Sequence, residues 1–599
     1  MLLIYVVSVI DMRESENNRV SQSFAKGALI MTICMVIVKI MGAFFKIPLA
    51  KILGGEGMGY FNSAYSLYNP IYAFATAGLP IAIARMVSGD VARKRFKDVK
   101  KIHKISIPMF ILTGTLGMLI MLVGSFMYAR ITKAPGVLYS IFMLAPTVLF
   151  SCLISIYKGY YEGLSNMAPT ATSEIVEAVG KVVFGLGLSY GVVACGMNEY
   201  YAKGTVFGKA CYTEEMARSA TLPFASAGAV LGITLGAVAG YLYIYGKYKM
   251  TGDKITLEEI ENSPESRPTK KLIRMLLEIS VPIGLGAIIM NFAGIVDSVL
   301  IQRRLNDIMM TNPNALLNVY HGLIPLEIVE RQTTHIFLSG CFGYMSTITM
   351  LIPAITQGIA ISAMPSVTTV WVQGDRKKIK QTIQSIFKIT TLISVPAGLG
   401  LSFLSYPIMD LIYGSIGKGT QPCEIYIAAH IMTVAGIATI FSSISTPLCN
   451  MLQAVGRVDL PVKLLTIGVI IKVLLNYSLV GIPEINIQGA SVGTLVCYLF
   501  VCLMALYYLC VETKIRPDFK SIIIKPLISS GCCAIAAYAS QGLLSRIVSY
   551  KIATILSIII AVVVYIATLL LTKTLNRDDF KMLPKGDKIL MLLEKYNLV

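Results

Sequence analysis

The sequence predicts an all-α polytopic membrane protein of about fourteen transmembrane helices, and three observations point to it. Of 599 residues, 55% are hydrophobic and only 14% charged, where a soluble chain carries about 25% charged residues. Mean hydropathy is +0.70, so lipid rather than water must cover much of the surface. Apolar runs of about 20 residues, the length that crosses a bilayer, recur along the chain, and the basic residues gather in the loops between them.

Taken in order, the predicted spans are 24–45, 61–87, 105–129, 138–157, 168–195, 221–245, 276–302, 338–366, 386–406, 425–448, 464–482, 489–511, 526–545 and 552–572. Leu2 to Ile10 is too short to span and is read as an extension ahead of the first helix. Pro80, Pro108, Pro146, Pro282, Pro353 and Pro396 fall inside spans, where membrane helices tolerate proline as a kink or hinge. Lys and Arg favour one set of alternating loops by roughly three to one, which puts both termini on the cytoplasmic side of the cell membrane. The runs Arg93-Lys94-Arg95-Phe96-Lys97 and Arg376-Lys377-Lys378 mark that side; a topology signal near anionic headgroups accounts for them without a ligand.

The formal charge of +19 raises nucleic-acid binding as a class, and its confinement to short loops on an apolar chain argues against it. Twelve cysteines lie without a CxxC pair or a His at metal spacing, mostly in apolar runs, so no disulfide framework, metal site or cofactor is expected.

Two blocks repeat in the same order. Gly78-Leu79-Pro80-Ile81 with Lys97-Asp98-Val99-Lys100 aligns on Gly358-Ile359-Ala360-Ile361 with Lys377-Lys378-Ile379-Lys380, and Glu162-Gly163-Leu164 through Lys181-Val182 aligns on Gln453-Ala454-Val455 through Lys472-Val473. A six-helix repeat keeps its orientation and predicts two parallel bundles about an axis along the membrane normal, with a cavity between them. The organisation follows: extension 1–22, first lobe 23–246, linker 247–275, second lobe 276–512, two further helices in 513–573, and a tail 574–599.

Ionisable residues inside spans cost roughly 2.5–3.5 kcal/mol each on insertion scales and mark function or partners. Lys181 lies about 18 Å into the fifth span at 1.5 Å per residue, near mid-depth, with Glu174 and Glu177 on its face. Lys472 is its repeat counterpart, with Asn476 one turn on, so a pseudo-two-fold sets the two cations on opposite cavity walls. A packing alternative stands beside this, in which Glu177 simply neutralises Lys181. Lys39 and Lys46 share a face of the first span; Lys39 is deep, and Lys46 either serves the cavity or snorkels. Asp297 in the seventh span is a candidate gate partner or cation site, and Arg85 near the end of the second is read equally well as a ligand or as snorkelling. A cavity charged by lysines suits an anion, and two or three ammonium groups clamp a diphosphate as point charges.

Lys26-Gly27-Ala28-Leu29, Lys46-Ile47-Pro48-Leu49-Ala50, Gly54-Gly55-Glu56-Gly57-Met58-Gly59, Gly78-Leu79-Pro80-Ile81-Ala82-Ile83 and Tyr160-Tyr161-Glu162-Gly163-Leu164 resemble the SpoVB/MurJ-type polysaccharide biosynthesis proteins. So do Lys472-x-x-x-Asn476, Leu583-Pro584-Lys585-Gly586 and Glu177-x-x-x-Lys181, the last with Lys where the family has Arg. The resemblance covers roughly residues 22–595. It implies the multidrug/oligosaccharidyl-lipid/polysaccharide exporter superfamily, with two six-helix lobes usually joined by two extra helices. It also implies a flippase for undecaprenyl-diphosphate-linked sugars, lipid II among them, working by alternating access. The expected partners are that lipid-linked sugar, membrane lipids and a coupling cation, with the chain acting as a monomer. A drug/cation antiporter of the same superfamily is the competing function; it wants cavity carboxylates where the first span offers lysines. An enzyme is disfavoured, since no paired carboxylates or His cluster stand out and His321 and His335 are isolated loop residues.

Overall fold

A computed structural model describes residues 24–414, 422–515, 517–572 and 574. The N-terminal run 2–10 and the tail motif at 583–586 lie outside the described residues. The chain is an all-α polytopic membrane protein: among the described residues, eleven helices are long and apolar enough to cross a membrane. Two more of the expected spans fall in one kinked helix, α1 (Phe24–Ala92), and another in α7 (Thr269–Thr311). The only strands among the described residues form a two-residue hairpin, Thr205–Val206 against Lys209–Ala210.

The chain falls into two compact units, 1–303 and 304–599. The first holds α1, α2 (Phe96–Thr132), α3 (Val137–Gly163), α4 (Ala168–Lys203), α5 (Glu214–Thr251), the short α6 (Leu257–Glu261) and α7 as far as Arg303. The break in α1 is at Gly54, with φ 63° and ψ −176°, a backbone conformation open to glycine and costly for other residues. It separates the first two spans. The helices outrun their apolar segments: α4 continues to Lys203, and α5 begins at Glu214, capped by Thr213, whose hydroxyl accepts from the Met216 amide. Sequence reading gives the seventh span to the second lobe. Within that span Ser280 and Gln302 meet α1, where Gly78 packs on the Ser280 carbonyl and Gln302 Nε2 donates to Ser63 Oγ at 2.7 Å.

The packing of α4 on α5 positions the functional residues. Gly228, Gly232, Gly236 and Gly240 repeat every fourth residue on α5, a small-residue stripe that lets backbones approach. A Cβ on Gly236 would sit 2.7 Å from the Glu177 carbonyl oxygen and 2.8 Å from the Lys181 nitrogen.

The linker is docked on the first unit by charge. The Arg267 guanidinium pairs with Asp90 and, at 2.9 Å, with Asp98, which Arg95 also meets at 2.7 Å. Lys100 pairs with Asp253 at 2.6 Å, and the Tyr160 hydroxyl donates to the same carboxylate at 2.5 Å. Burial acts to raise the Asp253 carboxyl, but the Lys100 and Tyr160 hydrogen bonds outweigh it and hold the group below the ordinary carboxylate range.

Residues 303–337, which lie between the predicted seventh and eighth spans, carry helix. The end of α7 is followed by α8 (Pro313–Val319), α9 (Leu326–Glu330) and α10 (Thr334–Thr349). Leu305, Ile308, Leu316, Ile324 and Ile328 are buried there, and the Tyr320 hydroxyl donates to Asn486 Oδ1, so burial holds the segment in place. Beyond it come α11 (Leu351–Gln373), α12 (Arg376–Phe403), α13 (Ser405–Tyr413), α14 (Pro422–Ala454), α15 (Asp459–Val480) and α16 (Gln488–Thr513). Ile383, Phe387, Leu448, Leu452, Val501 and Leu509 belong to one buried cluster of the second unit. Then α17 (Lys525–Leu544), entered through a π-turn at Lys520–Ile524, pairs with α18 (Tyr550–Leu571). The Tyr565 hydroxyl of α18 donates to the Leu392 carbonyl at 2.8 Å, fastening these helices to α12.

Candidate anion site

Three of the expected cations of the first unit, Lys39, Lys46 and Lys181, interact electrostatically. Lys39 is exposed and Lys46 half-buried on α1, and the ammonium groups of both Lys39 and Lys181 bear electrostatically on Lys46. Lys181, half-buried on α4, donates to the Tyr65 hydroxyl at 3.1 Å. Its Nζ stands 5.0 Å from the Phe45 ring centroid and 5.5 Å from that of Tyr65, inside the range of a cation–π contact. Among the described residues, no carboxylate lies within ion-pair distance of Lys181. Glu177, one turn away, acts on it only at longer range. The neutralising pair is therefore absent in this geometry: a phenol and two ring faces orient the ammonium without cancelling its charge.

Glu174 is used differently. It pairs with Lys158 of α3 at 3.1 Å and takes a weak hydrogen bond from the Cys34 thiol at 3.6 Å. Lys158 lies one residue beyond the predicted fourth span, and sequence reading left it among the loop cations. Also unforeseen is an aromatic ladder on α1, Phe61, Tyr65, Tyr68 and Tyr72, with successive centroids at 4.9, 5.7 and 5.1 Å. Its signal is the 4-3-4 spacing of one helix face. Glu177 acts electrostatically on all three tyrosines. The wall so built sets four lysines (39, 46, 158 and 181) against two glutamates (174 and 177).

The remaining expected residues lie elsewhere. Arg85 is exposed near the end of α1. Asp297 is half-buried on α7, near the Ser298 hydroxyl that meets the Tyr128 hydroxyl at 3.0 Å. In the second unit, Lys472 is half-buried on α15 and Asn476 is fully buried one turn on, its amide oxygen against Gly493 of α16. Each repeat-related lysine thus rides on a helix packed against a glycine of the next helix.

Two family models match the chain: the polysaccharide biosynthesis protein model over residues 24–208 and the MatE model over 340–478. Among curated proteins, the Bacillus subtilis lipid II flippase MurJ is 22% identical over 546 residues, covering 89% of this chain and 91% of that protein. Stage V sporulation protein B of the same organism is 23% identical over 581 residues, covering 94% and 98%. A solved lipid II flippase MurJ in an inward closed conformation superposes with a TM-score of 0.62 at 15% identity, covering 91% of this chain and 98% of that one. By these matches the chain is similar to polysaccharide biosynthesis proteins over residues 24–208 and to MatE proteins over 340–478, and it shares the fold of the solved flippase. An inward-facing multidrug resistance MATE transporter of the MOP superfamily shares the fold at a TM-score of 0.58 and 13% identity, covering 81% of this chain and 98% of that one. MurJ is named a flippase and the MATE protein a transporter; neither is named an enzyme.

Proposed function

We propose that the chain is a flippase that moves a polyprenyl-diphosphate-linked cell-wall sugar, lipid II or a related unit, across the cytoplasmic membrane by alternating access. The observation that carries this reading is the Lys181 ammonium, oriented by Tyr65 and Phe45 yet uncancelled by a carboxylate, beside Lys46 and Lys39. Lys39, Lys46 and Lys181 bind the diphosphate, and the polyprenyl tail stays in lipid. Lys472 with Asn476 supplies the equivalent contact from the second half of the sequence, and Arg85 meets the headgroup on its way in. Glu174 and Glu177 tune the cluster, Asp297 serves as gate or cation site, and both termini are cytoplasmic. The curated relatives support the lipid-linked substrate class.

The test is complementation. Expression in a strain depleted of its own lipid II flippase restores growth if lipid II itself is carried. Failure there, with rescue of a strain lacking another lipid-linked sugar exporter, keeps the class and changes the sugar. The MatE match over 340–478 favours the drug/cation antiporter as the second reading; it predicts drug resistance on expression and no rescue of either strain.

A further inference from the structure

A separate cationic feature of the first unit lies at the start of α2, against the docked linker. A cavity of about 490 Å3 is lined by Lys101, Lys104, Ile105, Pro108 and Met109 of α2 with Thr269 and Ile273 of α7, a volume ordinary for a small-ligand site. The α2 residues are spaced three and four apart, so they form one stripe along the helix. Its lysines sit just outside the predicted span 105–129, and its apolar members run into that span. Leu112, 70% exposed, and Leu116, 50% exposed, extend the same stripe toward the membrane interior.

The two lysines differ in support. Lys101 Nζ donates to the Arg267 carbonyl at 2.7 Å and the Ser266 hydroxyl at 3.3 Å, so the linker holds it in place. Lys104, one turn on, is exposed. Among the described residues, neither has a carboxylate within ion-pair distance. A pair of ammonium groups at the head of an apolar stripe matches a ligand with an anionic head and a hydrocarbon tail.

We infer that this cavity binds an anionic glycerophospholipid, with the phosphate on Lys101 and Lys104 and the glycerol and upper acyl chain along Ile105, Pro108, Met109 and Ile273. A free phosphate would leave the apolar wall unused, and a zwitterionic lipid would bring its own cation to the lysines. The bound lipid bridges α2 and α7 and buttresses the linker through Lys101. This site is independent of the lysine cluster around Lys181 and does not rest on the substrate proposed above.

The test uses the purified full-length protein in detergent and native mass spectrometry, with four probes added separately: phosphatidylglycerol, phosphatidylcholine, inorganic phosphate and undecaprenyl diphosphate. Phosphatidylglycerol is retained at least tenfold better than phosphatidylcholine and is not displaced by inorganic phosphate. Lys101→Glu/Lys104→Glu removes that preference, and the gentler Lys104→Gln at an exposed position weakens it, with thermal melting checked for each; Lys133→Glu at the other end of α2 leaves it intact. Equal retention of the two phospholipids, displacement by inorganic phosphate, or a full preference in a Lys104→Gln protein of unchanged melting temperature overturns the inference. So does undecaprenyl diphosphate bound in preference and lost with the same variants, which would make the cavity a substrate site.

Discussion

Lys181 is placed by neutral partners, and the consequence is a charge kept for a ligand. An ion pair with Glu177 would have spent that charge inside the protein. Tyr65 and Phe45 cost nothing of it, and a cation–π contact supplies about 0.5–2 kcal/mol toward holding the side chain. A charge-assisted hydrogen bond to a phosphate is worth about 1.5–3 kcal/mol, so Lys181→Ala should lower the apparent affinity for a lipid-linked diphosphate roughly tenfold to a hundredfold. Tyr65→Phe removes only the orienting hydrogen bond and should cost about 1 kcal/mol, a few-fold in affinity. Glu177→Gln should leave affinity unchanged or tighten it, because it removes a negative charge that the substrate otherwise meets. Titration of the purified variants with the lipid-linked diphosphate checks all three. A loss in Glu177→Gln as deep as in Lys181→Ala would mean that the glutamate positions the lysine after all.

At the scale of the helices, the stripe on α5 sets where Lys181 stands. Gly236→Val should force α4 away from α5 at Glu177 and Lys181, an overpacking cost of about 1–3 kcal/mol. Its melting temperature in detergent should fall, while that of Lys181→Ala stays near wild type. The reverse ranking would show that the lysine is structural. The linker makes a pH prediction. Asp253, with Lys100 and Tyr160 against it and His103 nearby, has a lowered carboxyl pKa in the folded state. Its contribution is therefore fully present above the ordinary carboxylate range and is lost as pH falls through that lowered value. Hydrogen exchange of residues 252–262 should be slow at pH 7 and accelerate in acid, and Asp253→Asn should show the fast exchange already at neutral pH. Identical protection in wild type and Asp253→Asn would remove the ion pair as the clasp.

Across the whole molecule, what a single sequence reveals depends on whether the relevant physics is local. The membrane class was legible because each span is a continuous apolar run, and the face shared by Lys39 and Lys46 follows from helical periodicity alone. The Lys158–Glu174 pair joins two helices, and the Arg267 clamp reaches back to Asp90 across 177 residues; no spacing rule reports such contacts. Tyr65 and its ladder went unforeseen, since tyrosines on a membrane helix pack in many ways and their spacing alone does not mark them as partners for a cation. The helices of 303–337 were missed because their buried residues, Leu305 to Ile328, are spread among polar ones and form no run. The two repeated blocks lead to the expectation that Lys181 and Lys472 occupy equivalent positions.

That equivalence bears the central claim, which outer-leaflet exposure of lipid-linked precursor tests most directly in flippase-depleted cells carrying wild type, Lys181→Ala, Lys472→Ala or the double variant. Once expression is matched, each single variant should slow exposure and the double variant should abolish it. Wild-type exposure in the double variant would contradict the account.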